Sequence, residues 1–209
     1  LYSINFKFDS KEINFSNQSS FNKEKFRQYK IGHRYNKDIE KITFENSNLG
    51  EENPETLNQI LEFVKNCKNL KEIYFSNEKL SSNPENFSKI FNALKNNKEL
   101  ESINLWNDDL GSNLEIMKIF TNGLKEIKNL KVLYLWKNNL GNNIENFKEF
   151  VNCVKDYNKL EVLYIENNGL YSNNDKNLTN LVNSLKKNKK LKSISLKNNN
   201  FELLVENIN

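Results

Sequence analysis

The amino-acid sequence predicts an α/β solenoid: a curved segment of about six or seven stacked units, with parallel strands on its concave face and helices on its convex face. Three observations carry that prediction. A short apolar pattern returns in seven copies spaced 29 to 31 residues apart. An apolar stripe at helical spacing fills the interval between copies. The apolar residues are few, yet they fall almost entirely at the repeating positions. Periods of this size mark repeat architectures, because one strand and one helix cannot bury their own apolar faces until copies stack.

The strands come first in each unit. Aligning KEINFSN, EKITFENSNLG, KEIYFSNEKL, ESINLWNDDLG, KVLYLWKNNLG, EVLYIENNGL and KSISLKNNNF puts Ile13, Ile42, Ile73, Ile103, Leu133, Leu163 and Ile194 in one column. Two residues later stand Phe15, Phe44, Phe75, Leu105, Leu135, Ile165 and Leu196. This alternation describes a short strand with one buried face. Three residues before the central position, from the second copy on, sits Ile39, Leu70, Leu100, Leu130, Leu160 or Leu191.

The helices follow. Leu57/Leu61/Val64, Phe87/Phe91/Leu94, Met117/Thr121/Leu124, Phe147/Val151/Val154 and Leu178/Val182/Leu185 each form an i, i+4, i+7 stripe, which is one helical face. Pro54 and Pro84 suit first helical turns. The whole chain reads as a single domain: residues 1–37 an irregular N-terminal cap, 38–191 regular repeats, 192–209 a truncated last repeat. His33 falls where a core leucine is expected. The chain begins at Leu1 without an initiator Met or a signal pattern, so it reads as a fragment or a processed form.

These units resemble the leucine-rich repeats of the ribonuclease-inhibitor type, which are long and carry a full helix. LYLWKNNLGNN and ITFENSNLGEEN are close to that pattern, with Gly50, Gly111 and Gly141 after the last leucine of the turn. The resemblance spans roughly residues 10–205. It implies a protein-interaction scaffold and leaves the partner open, since fold does not specify function. The family's turn asparagine, whose side chain bonds neighbouring backbone, matches Asn138, Asn168 and Asn199. Gln18, Ser47, Glu78 and Asp108 depart from it.

Residues flanking the buried strand positions are free of core constraints and face the concave surface. Directly after the central residue come Asn14, Thr43, Tyr74, Asn104, Tyr134, Tyr164 and Ser195; two further on come Ser16, Glu45, Ser76, Trp106, Trp136, Glu166 and Lys197. The candidate partner-binding residues are therefore Tyr74, Asn104, Trp106, Val132, Tyr134, Trp136, Val162, Tyr164 and Glu166. Exposed apolar patches mark interaction sites, and Trp and Tyr dominate binding hot spots. The competing reading is a cross-strand ladder that only stabilises the sheet.

Lys41, Glu72, Glu101, Lys131, Lys137, Glu161, Glu166 and Lys197 mix both signs around the aromatics, as at the polar rim of a protein interface. A nucleic-acid reader would show a basic stripe, and the net charge is only +4. Lys186, Lys187, Lys189, Lys190 and Lys192 read as a solvated helix end complementing the dipole. The N-terminal set Lys23, Lys25, Arg27, Lys30, Arg34 and Lys37 receives the same reading. No run reaches the roughly 18 apolar residues of a membrane span.

Other chemistry finds little support. One histidine, no phosphate-binding loop and no nucleophile elbow leave no catalytic constellation. Cys67 and Cys153 occupy different repeat positions, so neither a disulfide nor a shared metal site is expected; reduced thiols fit a cytoplasmic setting. Asp108, Asp109 and Glu78 form at most a weak cation signal. No cofactor and no metal are implied. Asn is roughly a fifth of the chain, which an AT-rich genome would explain, and the triplets at Asn17, Asn86 and Asn177 are discounted as glycosylation signals on that ground. The expectation is a non-enzymatic, monomeric scaffold gripping a protein or peptide partner on its concave face. The alternatives are a GTPase-regulating module resembling Ran GTPase-activating proteins, and the docking or sensor segment of a larger receptor or secreted effector.

Overall fold

The computed structural model describes residues 11–17, 38–170 and 175–200, with only the backbone described over 175–178 and at 180. Seven strands, β1 (Glu12–Asn14), β2 (Lys41–Glu45), β3 (Glu72–Ser76), β4 (Ser102–Trp106), β5 (Val132–Tyr134), β6 (Val162–Tyr164) and β7 (Ser193–Ser195), form one parallel sheet in chain order. The register sets Ile13, Ile42, Ile73, Ile103, Leu133, Leu163 and Ile194 side by side. Among the described residues five α-helices alternate with them: α1 (Pro54–Asn66), α2 (Pro84–Leu94), α3 (Leu114–Glu126), α4 (Ile144–Asp156) and α5 (Asp175–Leu185). Neighbouring strands need about 4.8 Å and neighbouring helices about 8–10 Å, so the stack curves with its strands on the inner side.

The core lies between the sheet and the helices. Ile42, Phe44, Ile73, Phe75, Ile103 and Leu105 are all but sealed from solvent, as are Leu57, Phe87, Met117 and Phe147 on the helices. Phe15, Phe44 and Phe75 stack in a column, with centroids 5.2 and 5.5 Å apart. The predicted core is less well covered at the two ends of the described stack: Val182 is 38% exposed, and Ile13, Leu185, Leu191, Ile194 and Leu196 are only partly buried, while the Leu178 side chain lies outside the described residues. Phe91, the equivalent of Val182, is covered by α3 at Gly123, and Thr121 by α4 through Glu149 (2.9 Å). Among the described residues, α5 has no following helix to cover it.

Helix boundaries are chemically marked. Asn53, Asn83, Asn113 and Asn143 each cap a helix by accepting a backbone N–H, which satisfies a donor that the helix leaves free. Pro54 and Pro84 are first helical residues. At the other end, the ammonium groups of Lys68, Lys98 and Lys128 donate to the carbonyls of Lys65, Lys95 and Lys125 (2.8, 3.0 and 2.5 Å). Lysines at helix ends are thus carbonyl caps, and Lys186, Lys187, Lys189 and Lys190 follow α5 at the same edge.

Strands β2 to β7 each leave through a turn with two left-handed residues: Asn46/Asn48, Asn77/Lys79, Asn107/Asp109, Lys137/Asn139, Asn167/Gly169 and Asn198/Asn200, with φ between 52° and 62°. Asn tolerates this region far better than most side chains, so the asparagine richness has structural uses beyond codon supply. At the first of these positions the amides join in a ladder. Asn46, Asn77 and Asn107 each donate to the preceding repeat's Asn, at 3.1, 2.7 and 2.8 Å. Repeats also pack closely here: a Cβ on Gly111 or Gly141 would run into the backbone of Asn139 or Gly169.

Between the two left-handed residues stands a buried polar side chain. Asn138, Asn168 and Asn199 each accept two N–H groups of the preceding turn and donate to carbonyls on both sides; for Asn138 these are Asp108 and Leu110, then Leu105 and Trp136. Glu78 accepts from Ser47 and Leu49, one on each oxygen (both 2.9 Å). Asp108 Oδ1 accepts from Glu78 and Leu80 (2.8 and 3.4 Å), and its Oδ2 has no partner. The Ser47 hydroxyl donates to the Phe15 carbonyl (2.9 Å). Ser47, Glu78 and Asp108 therefore occupy the same buried site by different chemistry; Gln18 lies outside the described residues.

Candidate functional site

Side chains alternate across a strand, so the residues between the buried ones face away from the helices. Register defines three rows on this inner face. The lower row sets Val132 beside Val162, between Ser102 and Ser193. The middle row runs Thr43, Tyr74, Asn104, Tyr134, Tyr164, Ser195. The upper row runs Ser76 and Trp106, then Trp136, Glu166 and Lys197 along backbone bonds from Asn107 to Trp136, Lys137 to Glu166 and Asn167 to Lys197 (2.9, 3.2 and 3.1 Å).

All nine predicted residues share this face, but they are not one uninterrupted aromatic surface. Tyr134 and Tyr164 stack with centroids 4.8 Å apart and planes 2° from parallel. Asn104 separates them from Tyr74 and accepts from the Trp106 N–H (3.0 Å). The Tyr74 hydroxyl donates to Glu72 (2.9 Å) and the Lys41 ammonium sits 5.1 Å from its ring centroid. Burial, then the Glu72 carboxylate, pushes the Tyr74 phenol well up; burial also raises that of Tyr134. Lys137 Nζ lies 5.6 Å from the Trp106 ring, and Trp106 Nε1 is buried without a partner. Trp136 is the exposed ring, at 42%. Glu166 is only 5% exposed and its Oε2 has no hydrogen-bond partner.

A second feature escaped the sequence reading. Two residues before each central position stand Lys11, Glu40, Lys71, Glu101, Lys131, Glu161 and Lys192, in strict alternation of sign. Glu40 pairs with Lys11 and with Lys71 (2.8 Å), Glu101 with Lys131 (2.6 Å), Glu161 with Lys192 (2.7 Å). Lys11, then Lys71, holds the Glu40 carboxyl down at about 2, and Lys192 lowers Glu161. The alternation was visible in the aligned copies. Reading the charges as a mixed rim hid it.

Other candidate chemistry resolves into structure. Cys67 and Cys153 are buried free thiols, each pushed up to about 12 by burial. Glu78 and Asp108 turn inward to backbone N–H groups, and Asp109 accepts from Asn139 (2.5 Å), so the three carboxyls do not converge on a cation. Among the described residues no cluster of three or more His, Cys, Asp or Glu is placed to hold a metal, and no helix is long and apolar enough to cross a membrane. His33 and the N-terminal basic set lie outside the described residues.

No family model and no curated protein matches the sequence. Solved structures do. The leucine-rich repeat-containing protein LegL7 of Legionella pneumophila aligns with a TM-score of 0.55 at 20% identity, covering 80% of this chain and 52% of LegL7. The tropomodulin C-terminal domain of Caenorhabditis elegans aligns with a TM-score of 0.53 at 14% identity, covering 71% of this chain and 87% of that domain. A full helix in the regular units is compatible with the ribonuclease-inhibitor type. Seven parallel strands in one open sheet, backed by helices and matched by these neighbours, make this chain a leucine-rich repeat solenoid.

Proposed function

We propose that this chain is a non-enzymatic scaffold that holds a protein or peptide partner on its concave face. The observation that carries the reading is a group of large rings on the side of the sheet that the core does not use, with Trp136 left in solvent. Burying a Trp of this kind on a partner is worth several kcal/mol at a hot spot, of order 2 or more. Tyr134 and Tyr164, locked by stacking, lose little freedom on binding. The bland alternative, a ladder that only steadies the sheet, accounts for the tyrosine pair and leaves Trp136 unexplained.

Affinity capture from a lysate of the source organism tests this, with wild type and a Trp106→Ser/Trp136→Ser variant compared after their melting temperatures are measured. A protein retained by wild type and lost by the folded variant supports the concave face. Equal capture by both moves binding elsewhere on the solenoid.

A further inference from the structure

Asp108 stands where three later repeats place an asparagine. Asn138 Oδ1 accepts from the Asp108 and Leu110 N–H groups (3.1 and 3.3 Å), while its Nδ2 donates to the carbonyls of Leu105 and Trp136 (2.5 and 3.0 Å). Asn168 Nδ2 likewise reaches the carbonyls of Leu135 and Glu166 (2.7 and 3.1 Å). Asn199 Nδ2 reaches those of Ile165 and Lys197 (2.8 and 3.4 Å). In every copy one carbonyl belongs to the preceding repeat and the other lies two residues back in the same turn.

Asp108 Oδ1 binds as the asparagine oxygens do, accepting from Glu78 and Leu80 (2.8 and 3.4 Å). Its second oxygen therefore takes the place of an amide nitrogen. Phe75 is the register partner of Leu105, and Trp106 precedes Asp108 as Trp136 precedes Asn138. Oδ2 is thus aimed at two carbonyl oxygens, sealed from solvent and without a hydrogen-bond partner. An ionised oxygen there meets only other acceptors. A protonated one is a donor, as a carboxylic acid can be and a carboxylate cannot.

The charges around the turn do not offset an ionised Asp108. On the preceding turn Glu78 adds a negative charge, with Glu45 acting on Glu78 in the same sense. The Lys79 ammonium is drawn off to Glu51 (2.8 Å). Asp109 accepts from Asn139 (2.5 Å), and on the following turn the Lys137 ammonium sits over the Trp106 ring, 5.6 Å from its centroid. Burying a carboxylate without a cation favours its neutral form. Glu78 is the poorer seat for the proton, because both of its oxygens already accept backbone N–H groups (2.9 Å each).

We infer that Asp108 is a proton-binding site: at neutral pH the folded chain holds it as the neutral acid, with Oδ2–H donating to the Phe75 carbonyl. The proton comes from solvent as the chain folds and returns to it on unfolding, when the exposed carboxyl ionises. The bond ties the turn after β4 to the end of β3 in the way that Asn138 ties β5 to β4. The junction of β3 and β4 is therefore the proton-dependent one, and its hold weakens as pH rises.

Carbon-13 NMR of the full chain, labelled at the aspartate carboxyls alone so that Glu78 is silent, tests this directly. One signal should keep the position of a protonated carboxyl at pH 7 and vanish in Asp108→Asn. That variant is expected to fold, since asparagine fills the same site in three repeats. Between pH 5 and pH 7, the unfolding constant of the wild type should rise about tenfold more per pH unit than that of Asp108→Asn, the linkage of one proton. An aspartate spectrum fully ionised at pH 6 would overturn the inference whether or not the variant folds. A protonated signal that survives in Asp108→Asn would overturn it too, as would equal pH dependence of the two chains.

Discussion

The turns after β2 to β4 and those after β5 to β7 solve one problem in two ways. The problem is a buried row of backbone groups, two N–H donors and two carbonyls per repeat, which packing hides from water. In the later half, Asn138, Asn168 and Asn199 meet both needs with one side chain, because a carboxamide accepts and donates at once. In the earlier half, Ser47 stands after β2 and acids stand after β3 and β4. Glu78 is long enough to give one oxygen to each N–H, at 2.9 Å apiece. Asp108 is shorter, uses one oxygen for both donors and strands the other. Its neighbour Asn138 spends its amide on the Leu105 carbonyl, and Phe75, the register partner of Leu105, is the carbonyl that Asp108 as a carboxylate cannot serve. The geometry of the turn is thus conserved across chemistries of unequal quality.

The sharpest way to break this pattern is to empty an amide site. Asn138→Ala deprives Asp108 and Leu110 of an acceptor and Leu105 and Trp136 of a donor. At about 1–3 kcal/mol for each buried group left unsatisfied, the loss should reach about 3 kcal/mol or more in a urea melt. A loss under about 1 kcal/mol would mean water replaces the side chain and the row is not sealed.

Next come two conservative changes with opposite signs. Glu78→Gln places an NH2 against one of two N–H donors and should destabilise by about 1–3 kcal/mol. Asp108→Asn keeps the accepting oxygen and turns the stranded one into a donor, so at pH 7 it should stabilise by about 1–2 kcal/mol. Equal signs in paired denaturation curves would refute the division of labour between the two acids.

The acids also give the earlier half a pH dependence that the amides lack. Burial raises Glu78 from 4.5 to about 7 and lifts Asp108 well above its ordinary value, with the Glu78 charge adding to it. Folded chains then hold more protons than unfolded ones between the unfolded and folded values, so stability falls as pH rises. For Glu78 that window runs from about 4.5 to about 7. Melting temperature should drop from pH 5 to pH 8, and Asp108→Asn should shallow the drop without abolishing it. An unchanged slope would show that Asp108 does not titrate there.

The smallest effect is expected off the ladder altogether. Trp136→Ser removes a ring that is 42% exposed and lies outside the core, and should cost no more than about 0.5 kcal/mol, the usual range for surface substitutions. A larger loss would argue for the sheet-steadying role over the docking role.

How much of this could be read in the chain differs by position. Ile42, Ile73 and Ile103 announce strands, and Leu57, Phe87 and Phe147 announce helices, because burial needs only periodicity and each copy repeats the same period. The nine inner-face residues were likewise placed on one face, since a strand must turn alternate side chains outward. Other features depend on neighbours that no single copy contains. Val182 reads as core and is exposed, for want of a following helix among the described residues. Glu166 reads as a rim charge and is buried. The Lys11–Lys192 alternation reads as scattered charge until strands align it into ion pairs.

By itself, then, the sequence determined the repeat, the alternation of strand and helix, the buried columns and the sidedness of the aromatics, all of which follow from local period and from the gain of burying apolar surface. Tertiary structure alone decided which polar side chains lose their water. Desolvation depends on the repeats on either side, and it is what gives Asp108 its stranded oxygen, Glu78 its raised carboxyl and Glu166 its unmet oxygen.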